Sequence, residues 1–190
     1  MKSCWQFIAL ILALFTSVHA QDYPAGSVKM IVPFAPGASS DALGRLIALK
    51  IQENAGMSMH VENLSGGSGL IGMGAAVRSA PNGLTVGRAS PSTHTIAAAK
   101  RKKLPYDAVA DFTFVSTIAK YTSALVVHPQ MPLKSLTEMV QYARKYPDKP
   151  SFASAGVGSS THLLGEIFKQ AARIRITHIP FKGCRHFLIL

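Results

Sequence analysis

Two loops in this sequence place glycines and hydroxyls where an apolar run gives way to a helical pattern. The first is Ala35-Pro36-Gly37-Ala38-Ser39-Ser40, after the run at residues 28–34; Phe34 ends that run. The second is Gly156-Val157-Gly158-Ser159-Ser160, after the run at residues 151–155. A helix N-terminus leaves backbone N–H groups without partners and carries the positive end of the helix dipole. Small residues admit a ligand close to that backbone, and serine hydroxyls add donors. Each loop is therefore a candidate anion cradle. One cradle on each of two lobes would grip a carboxylate as a pincer. The competing reading is that Ser39, Ser40, Ser159 and Ser160 cap their helices. Asp41 would repel an anion, and a place in the first helical turn suits its charge.

Other chemistries find less support. Gly67-Ser68-Gly69-Leu70-Ile71-Gly72 has G-x-G-x-x-G spacing, but no acid occurs between Glu62 and Asp107, where a ribose partner would be needed. Close packing of a small-residue helix is the better account. No G-x-S-x-G occurs, and His94, His128, His162 and His178 are scattered, although a Ser/His pair from the serine-rich loops stays open. No cysteine pair or His/acid cluster suggests a metal, and no cofactor is expected. The acids are few and dispersed, which leaves paired-carboxylate catalysis without residues.

Positioning these loops requires alternating strands and helices. Apolar runs at 28–34, 57–62, 84–89, 112–119, 123–127, 151–155 and 174–181 predict strands. Helices are expected at 41–53 (Leu43, Leu46, Ile47 and Ile51 inward, Gly56 as terminator) and at 70–79. A further helix follows the loop that starts at Ser90. Ser135-Leu136-Thr137-Glu138 is a capping box. The helix it opens turns Leu136, Met139, Val140 and Ala143 inward. The last helix spans 160–172, with Leu163, Leu164, Ile167 and Phe168 on one side. This alternation predicts an α/β fold with parallel sheets. A composition change at 104–111 marks the crossing between lobes.

Twenty Lys and Arg oppose nine Asp and Glu, a formal charge of +11. That favours anionic partners. The densest basic cluster, Lys100-Arg101-Lys102-Lys103, has no interleaved aromatics and meets Pro105 at once, so it reads as a solvated helix end and not as a nucleic-acid patch. Residues 1–20 combine Lys2, a short apolar core at 7–15 and Val18-His19-Ala20, the pattern of a cleavable signal peptide. Cys4 leaves with it, and Cys184 is then the one cysteine left.

Taken together, the segments resemble a known family. They include Ile31-Val32-Pro33-Phe34-Ala35-Pro36-Gly37, Val61-Glu62-Asn63, Gly66 to Gly72, Ala80-Pro81-Asn82-Gly83, Leu104-Pro105-Tyr106-Asp107 and Asp111-Phe112. Val126-Val127-His128-Pro129, Ser154 to Leu163 and Thr177 to Gly183 continue the series. The chain resembles the periplasmic solute-binding proteins of tripartite tricarboxylate transporters, the Bug or TctC-like family, from about Tyr23 to Gly183. The resemblance implies a two-lobed Venus-flytrap fold, with lobe 1 at 21–105 and lobe 2 at 106–183. It implies a non-enzymatic receptor that captures small organic acids and hands them to a two-subunit membrane permease. Carried over, the ligand carboxylate would meet Phe34, Ala35, Gly37, Ala38, Ser39 and Ser40, facing Gly156, Gly158, Ser159, Ser160 and Thr161. Ser90, Ser92 and Thr93 would line the same cleft, and Asp41 is a cleft residue of open role. Ala38 stands where the family usually has a second glycine, and Ser40 where threonine is common. After Gly183 the family continues, whereas residues 184–190 resemble nothing in it. The expectation is a fold incomplete at its C-terminus, with an aberrant tail and impaired binding. The alternative function is a secreted α/β hydrolase using a Ser/His pair.

Overall fold

A computed structural model describes residues 23–100, 103–147 and 149–181. The signal-peptide stretch, both cysteines, Arg101, Lys102 and the tail lie outside the described residues.

Strand β1 (Val28–Val32) is the centre of a three-stranded sheet of order β2-β1-β3, with β2 at Met59–Asn63 and β3 at Thr85–Gly87. Both pairings are parallel, Met30 lying opposite Val61 and Val86. A central parallel strand is covered on both faces, which is why Val28, Met30, Ile31 and Val32 form a nearly unbroken apolar run and are all buried. Helix α1 (Ser39–Ala55) packs on β1 and β2. Helix α2 (Leu70–Val77), entered through a 3-10 turn at Gly67–Gly69, packs on β1 and β3. The chain thus leaves β1 in one direction along the sheet and returns past it in the other. The carboxyl end of β1 is the topological switch point, where open α/β sheets bind ligands.

Gly56 closes α1 in the left-handed conformation (φ 65°). The buried face of α1 is narrower than its hydrophobic pattern predicts. Asp41, Gly44 and Ala48 are buried, Leu43, Ile47 and Ile51 are half-buried, and Leu46 is 51% exposed. The small residues Gly44 and Ala48 bring the helix axis close to the sheet: a Cβ on Gly44 would lie 2.9 Å from Val32 Cγ2. Long side chains flanking that seam are pushed to its rim.

A second parallel pair joins β4 (Ser151–Ser154) to β5 (Thr177–Pro180), bridged by α5 (Ser160–Ala172). Met139 and Ala143 of α4 (Leu136–Lys145) meet Ile174 and Ile176 beneath it. The capping box forms: Ser135 Oγ accepts the Glu138 N–H at 3.2 Å. The Glu138 carboxylate reaches one residue further back than expected and accepts the N–H of Lys134 at 2.7 Å. Leu136 is 59% exposed and not inward, because as the first helical residue it projects before the packed turn begins.

Two expected strands do not form. Residues 112–119 and 123–127 carry no ladder, and Phe114, Val115, Tyr121, Leu125 and Val126 are exposed. A strand exists through its neighbour's hydrogen bonds, and among the described residues none of the five strands pairs with these runs. The apolar stripe of α5 is likewise real but uncovered, with Leu163, Leu164 and Ile167 exposed and Phe168 alone packing inward. Tyr106, assigned by the division at 105/106 to the second lobe, packs with Leu70, Met73 and Ala97 of the first, and Ala108 and Phe112 join it. Thr95–Lys100 form the short helix α3 that carries Ala97 there.

Candidate functional site

The two glycine–serine loops lie at the carboxyl ends of β1 and β4, and each runs into a helix N-terminus. In the first loop, Gly37 takes φ 78°, a conformation that favours glycine, and its N–H donates to Asp41 Oδ2 at 2.8 Å. Ala38 is the N-cap of α1, with φ −74° and ψ 161° and no side-chain cap. That extended backbone suits any residue, so alanine at this position brings no strain. Ser39 and Ser40 are the first helical residues and not caps.

Asp41 turns back under the loop. It is 4% exposed, its Oδ1 accepts the Asn63 amide at 2.9 Å, and Arg45 Nε lies 3.0 Å away. Asn63 also donates to the carbonyl of Phe34 at 3.1 Å. Burial pushes the Asp41 carboxyl up, but the Gly37 N–H, Arg45 and Asn63 together outweigh it and hold the group below the usual carboxylate range. Asp41 is therefore an anion fixed behind the cradle, bracing the loop, α1 and β2.

In the second loop, Ser159 caps α5, accepting the N–H of His162 at 3.3 Å. Most loop N–H groups have internal acceptors. Gly156 donates to Ser154 Oγ at 3.2 Å, Gly158 to His162 Nδ1 at 3.2 Å, and Ser159 to the carbonyl of Gly156 at 3.1 Å. Thr161 Oγ1 accepts from Ala155 at 2.9 Å. The N–H of Ser160 donates across the cleft to Ser92 Oγ at 2.9 Å. Ser92 sits in a turn closed by buried Thr93, whose Oγ1 accepts the N–H of Ser90 at 3.0 Å. Tyr106 secures this turn by donating to the Thr93 carbonyl at 2.6 Å.

Two adjoining cavities open between the sheets. One of about 330 Å³ is lined by Phe34, Gly66 to Gly69, Ala155, Gly156, Val157 and Phe181. The other, about 270 Å³, is lined by Gly67, Ser68, Leu70, Ser92, Ile96, Ala97, Lys100, Val157 and Gly158. Of the residues expected at the site, Phe34, Gly156, Ser92 and Gly158 thus face a cavity. Ala35, Gly37, Ala38, Ser39, Ser40 and Asp41 form the loop and helix start behind Phe34. Ser90 and Thr93 build the turn that carries Ser92, and Ser159, Ser160 and Thr161 close the facing loop. From sequence, Gly67-Ser68-Gly69 is expected only to pack a small-residue helix closely. Gly67 and Ser68 in fact line both cavities and Gly69 the first, and Ser68 Oγ donates between them to the Val157 carbonyl at 2.7 Å. The usable signal was the glycine run itself, since Gly66, Gly67 and Gly69 all take positive φ.

The hydrolase alternative requires an accessible hydroxyl on an imidazole. Ser154 Oγ lies 2.6 Å from His178 Nε2, but Ser154 is fully buried and its hydroxyl also engages Gly156. The His162 ring lies against that of His178, with centroids 4.2 Å apart, and its Nδ1 already accepts from Gly158. Burial pushes His178 down, with the neighbouring His162 adding to the effect. This cluster serves as a brace for the loop. Among the described residues no group of His, Cys, Asp and Glu is arranged to hold a metal, and no helix is long and apolar enough to cross a membrane.

Two parallel α/β sheets meeting at their carboxyl edges around a cleft, with a helix N-terminus from each, are the architecture of periplasmic-type solute-binding proteins. The family model described as tripartite tricarboxylate transporter family receptor matches residues 43–188, and the chain belongs to that family. Protein BugT of Bordetella pertussis is 34% identical over 167 residues, covering 87% of this chain and 51% of BugT. A UPF0065 protein of the same organism is 32% identical over 176 residues, covering 93% and 54%. Among solved structures, R. palustris Rpa4515 with adipate superposes with a TM-score of 0.82 at 33% identity, covering 88% of this chain and 56% of that one. MatC from Rhodopseudomonas palustris with bound malate gives 0.75 at 28%, covering 88% and 57%. The chain spans about half the length of the curated relatives it matches.

Proposed function

We propose that this chain is a periplasmic receptor segment that captures small di- or tricarboxylates for a two-subunit membrane permease. The supporting observation is the cleft between the two sheets, where Phe34 at the head of the first loop faces Gly156 and Gly158 of the second and the N–H of Ser160 donates across to Ser92 Oγ at 2.9 Å. The ligand carboxylate takes N–H groups of this kind, while Asp41 keeps the first loop in shape from behind. Two structural neighbours are described with adipate and with malate, which favours this ligand class. An exported location follows from the same reading together with the signal-like N-terminus.

The test is thermal unfolding of the full chain alone and with succinate, malate, adipate, citrate and acidic amino acids. A ligand present at a hundred times its Kd raises stability by about 2.7 kcal/mol. An upward shift with a carboxylate, and none with the matching amide or alcohol, is expected. No shift with any acid at millimolar concentration would overturn the reading. Ser160→Ala separates receptor from hydrolase: a backbone cradle keeps binding, whereas a serine nucleophile would lose all ester turnover.

A further inference from the structure

The second cavity contains a cation that the carboxylate cradle does not use. Lys100, the last residue of α3, lines it together with Ser92 and Gly158, and a Cβ on Gly158 would lie 3.6 Å from Lys100 Nζ. The ammonium thus lies against the loop that starts α5. No ion pair among the described residues engages Lys100, whereas Lys29, Lys50 and Lys169 each have a carboxylate partner. The remaining described lining is apolar or uncharged, with Leu70, Ile96, Ala97 and Val157 leaving Lys100 as its one charged group among the described residues. The two cavities share Gly67, Ser68 and Val157 and adjoin at the hydrogen bond from Ser68 Oγ to the Val157 carbonyl, so a ligand that spans both displaces that one contact.

We propose that Lys100 selects dianions: its ammonium takes the second carboxylate of a linear diacid whose first carboxylate occupies the cradle. The proposal rests on the carboxylate-receptor reading and adds which ligands that receptor prefers. A hydrogen bond to a charged group contributes about 1.5–3 kcal/mol, which is about ten- to hundredfold in affinity. A monoacid of the same chain length would leave the ammonium facing methyl carbon and gain nothing from it. The exposed position of Lys100 makes the discrimination sensitive to salt.

The experiment is calorimetric titration of the full chain with succinate, glutarate and adipate, each against the monoacid of equal length. Wild type is expected to prefer the best diacid over its monoacid at least tenfold. In Lys100→Met the preference falls to less than threefold, Lys100→Arg restores most of it, and the remote Lys50→Met leaves it intact. If acids bind but Lys100→Met keeps the full preference, the role of Lys100 is overturned and the receptor reading stands. If wild type binds neither diacid nor monoacid, the receptor reading fails and this proposal fails with it.

Discussion

The backbone N–H of Gly37 donates to Asp41 Oδ2 at 2.8 Å, so the acid nearest the first anion cradle serves the loop and not the ligand. The same carboxylate holds Asn63 of β2 and Arg45 one turn along α1. Removing it strands a loop N–H and a half-buried amide. Arg45 is exposed enough to remain solvated, so the loss falls short of that for a fully buried ion pair. Asp41→Ala is expected to destabilise the fold by about 1–3 kcal/mol. Urea unfolding measures this, and a loss below about 0.5 kcal/mol, the size of an ordinary surface change, would contradict the bracing role.

The histidine brace predicts acid sensitivity. His178 has its folded pKa lowered from 6.5, mainly by burial and then by His162, with Lys169 acting in the same direction and Glu166 opposing. His94, packed among Tyr106, Phe112 and Phe114, is lowered by burial alone. Between the folded value and 6.5 the unfolded chain binds more protons than the native one, so stability rises with pH there. It is complete above 6.5 and is lost as pH falls toward the lowered folded values. The melting temperature should therefore be flat from pH 7 to 8 and decline below 6.5, and His178→Gln should reduce that slope. The Asp41 contribution has the same sign but acts lower, disappearing as pH falls below 3.8.

Gly72 is held by contact and not by conformation. A Cβ there would lie 2.7 Å from the carbonyl oxygen of Leu64 and 2.9 Å from Pro33 Cα, both main-chain atoms that cannot rotate away. Gly72→Ala should destabilise by about 1–3 kcal/mol, because α2 must move off the end of β1. Gly26→Ala, which meets nothing within 4 Å, should change stability by less than about 0.5 kcal/mol. Equal losses in the two variants, read by denaturant titration, would refute the packing argument for the glycine motif.

The parallel strands of both sheets and the two loops were legible because buried parallel strands write themselves as apolar runs, as residues 28–32 do, and because the loops between them are glycine- and serine-rich. What was not legible depended on partners far away in sequence. Residues 112–127 are apolar enough for two strands, yet pairing belongs to the neighbour and not to the segment. Leu46 and Leu163 fit helical stripes, but whether a stripe is covered depends on what packs over it. Gly67-Ser68-Gly69 reads from sequence as close packing of a small-residue helix. Its place at the cleft comes from Val157, 89 residues away from Ser68. Lys100 reads as the end of a solvated helix until Gly158 is brought beside it.

Ser92 offers the sharpest test of how the cleft works. Its Oγ accepts the N–H of Ser160 at 2.9 Å and lies 3.4 Å from Ser160 Oγ, so the chain's own hydroxyl satisfies a cradle donor when no ligand is there. A carboxylate that takes this N–H must first displace the hydroxyl. A neutral hydrogen bond is worth about 0.5–1.5 kcal/mol net, so Ser92→Ala should tighten carboxylate binding by about two- to tenfold. The gain should appear in the association step, since the self-contact competes with entry and not with retention. If affinity instead falls tenfold, Ser92 is a ligand donor in its own right, and the bridge to Ser160 is the rest position of a group that turns to the ligand.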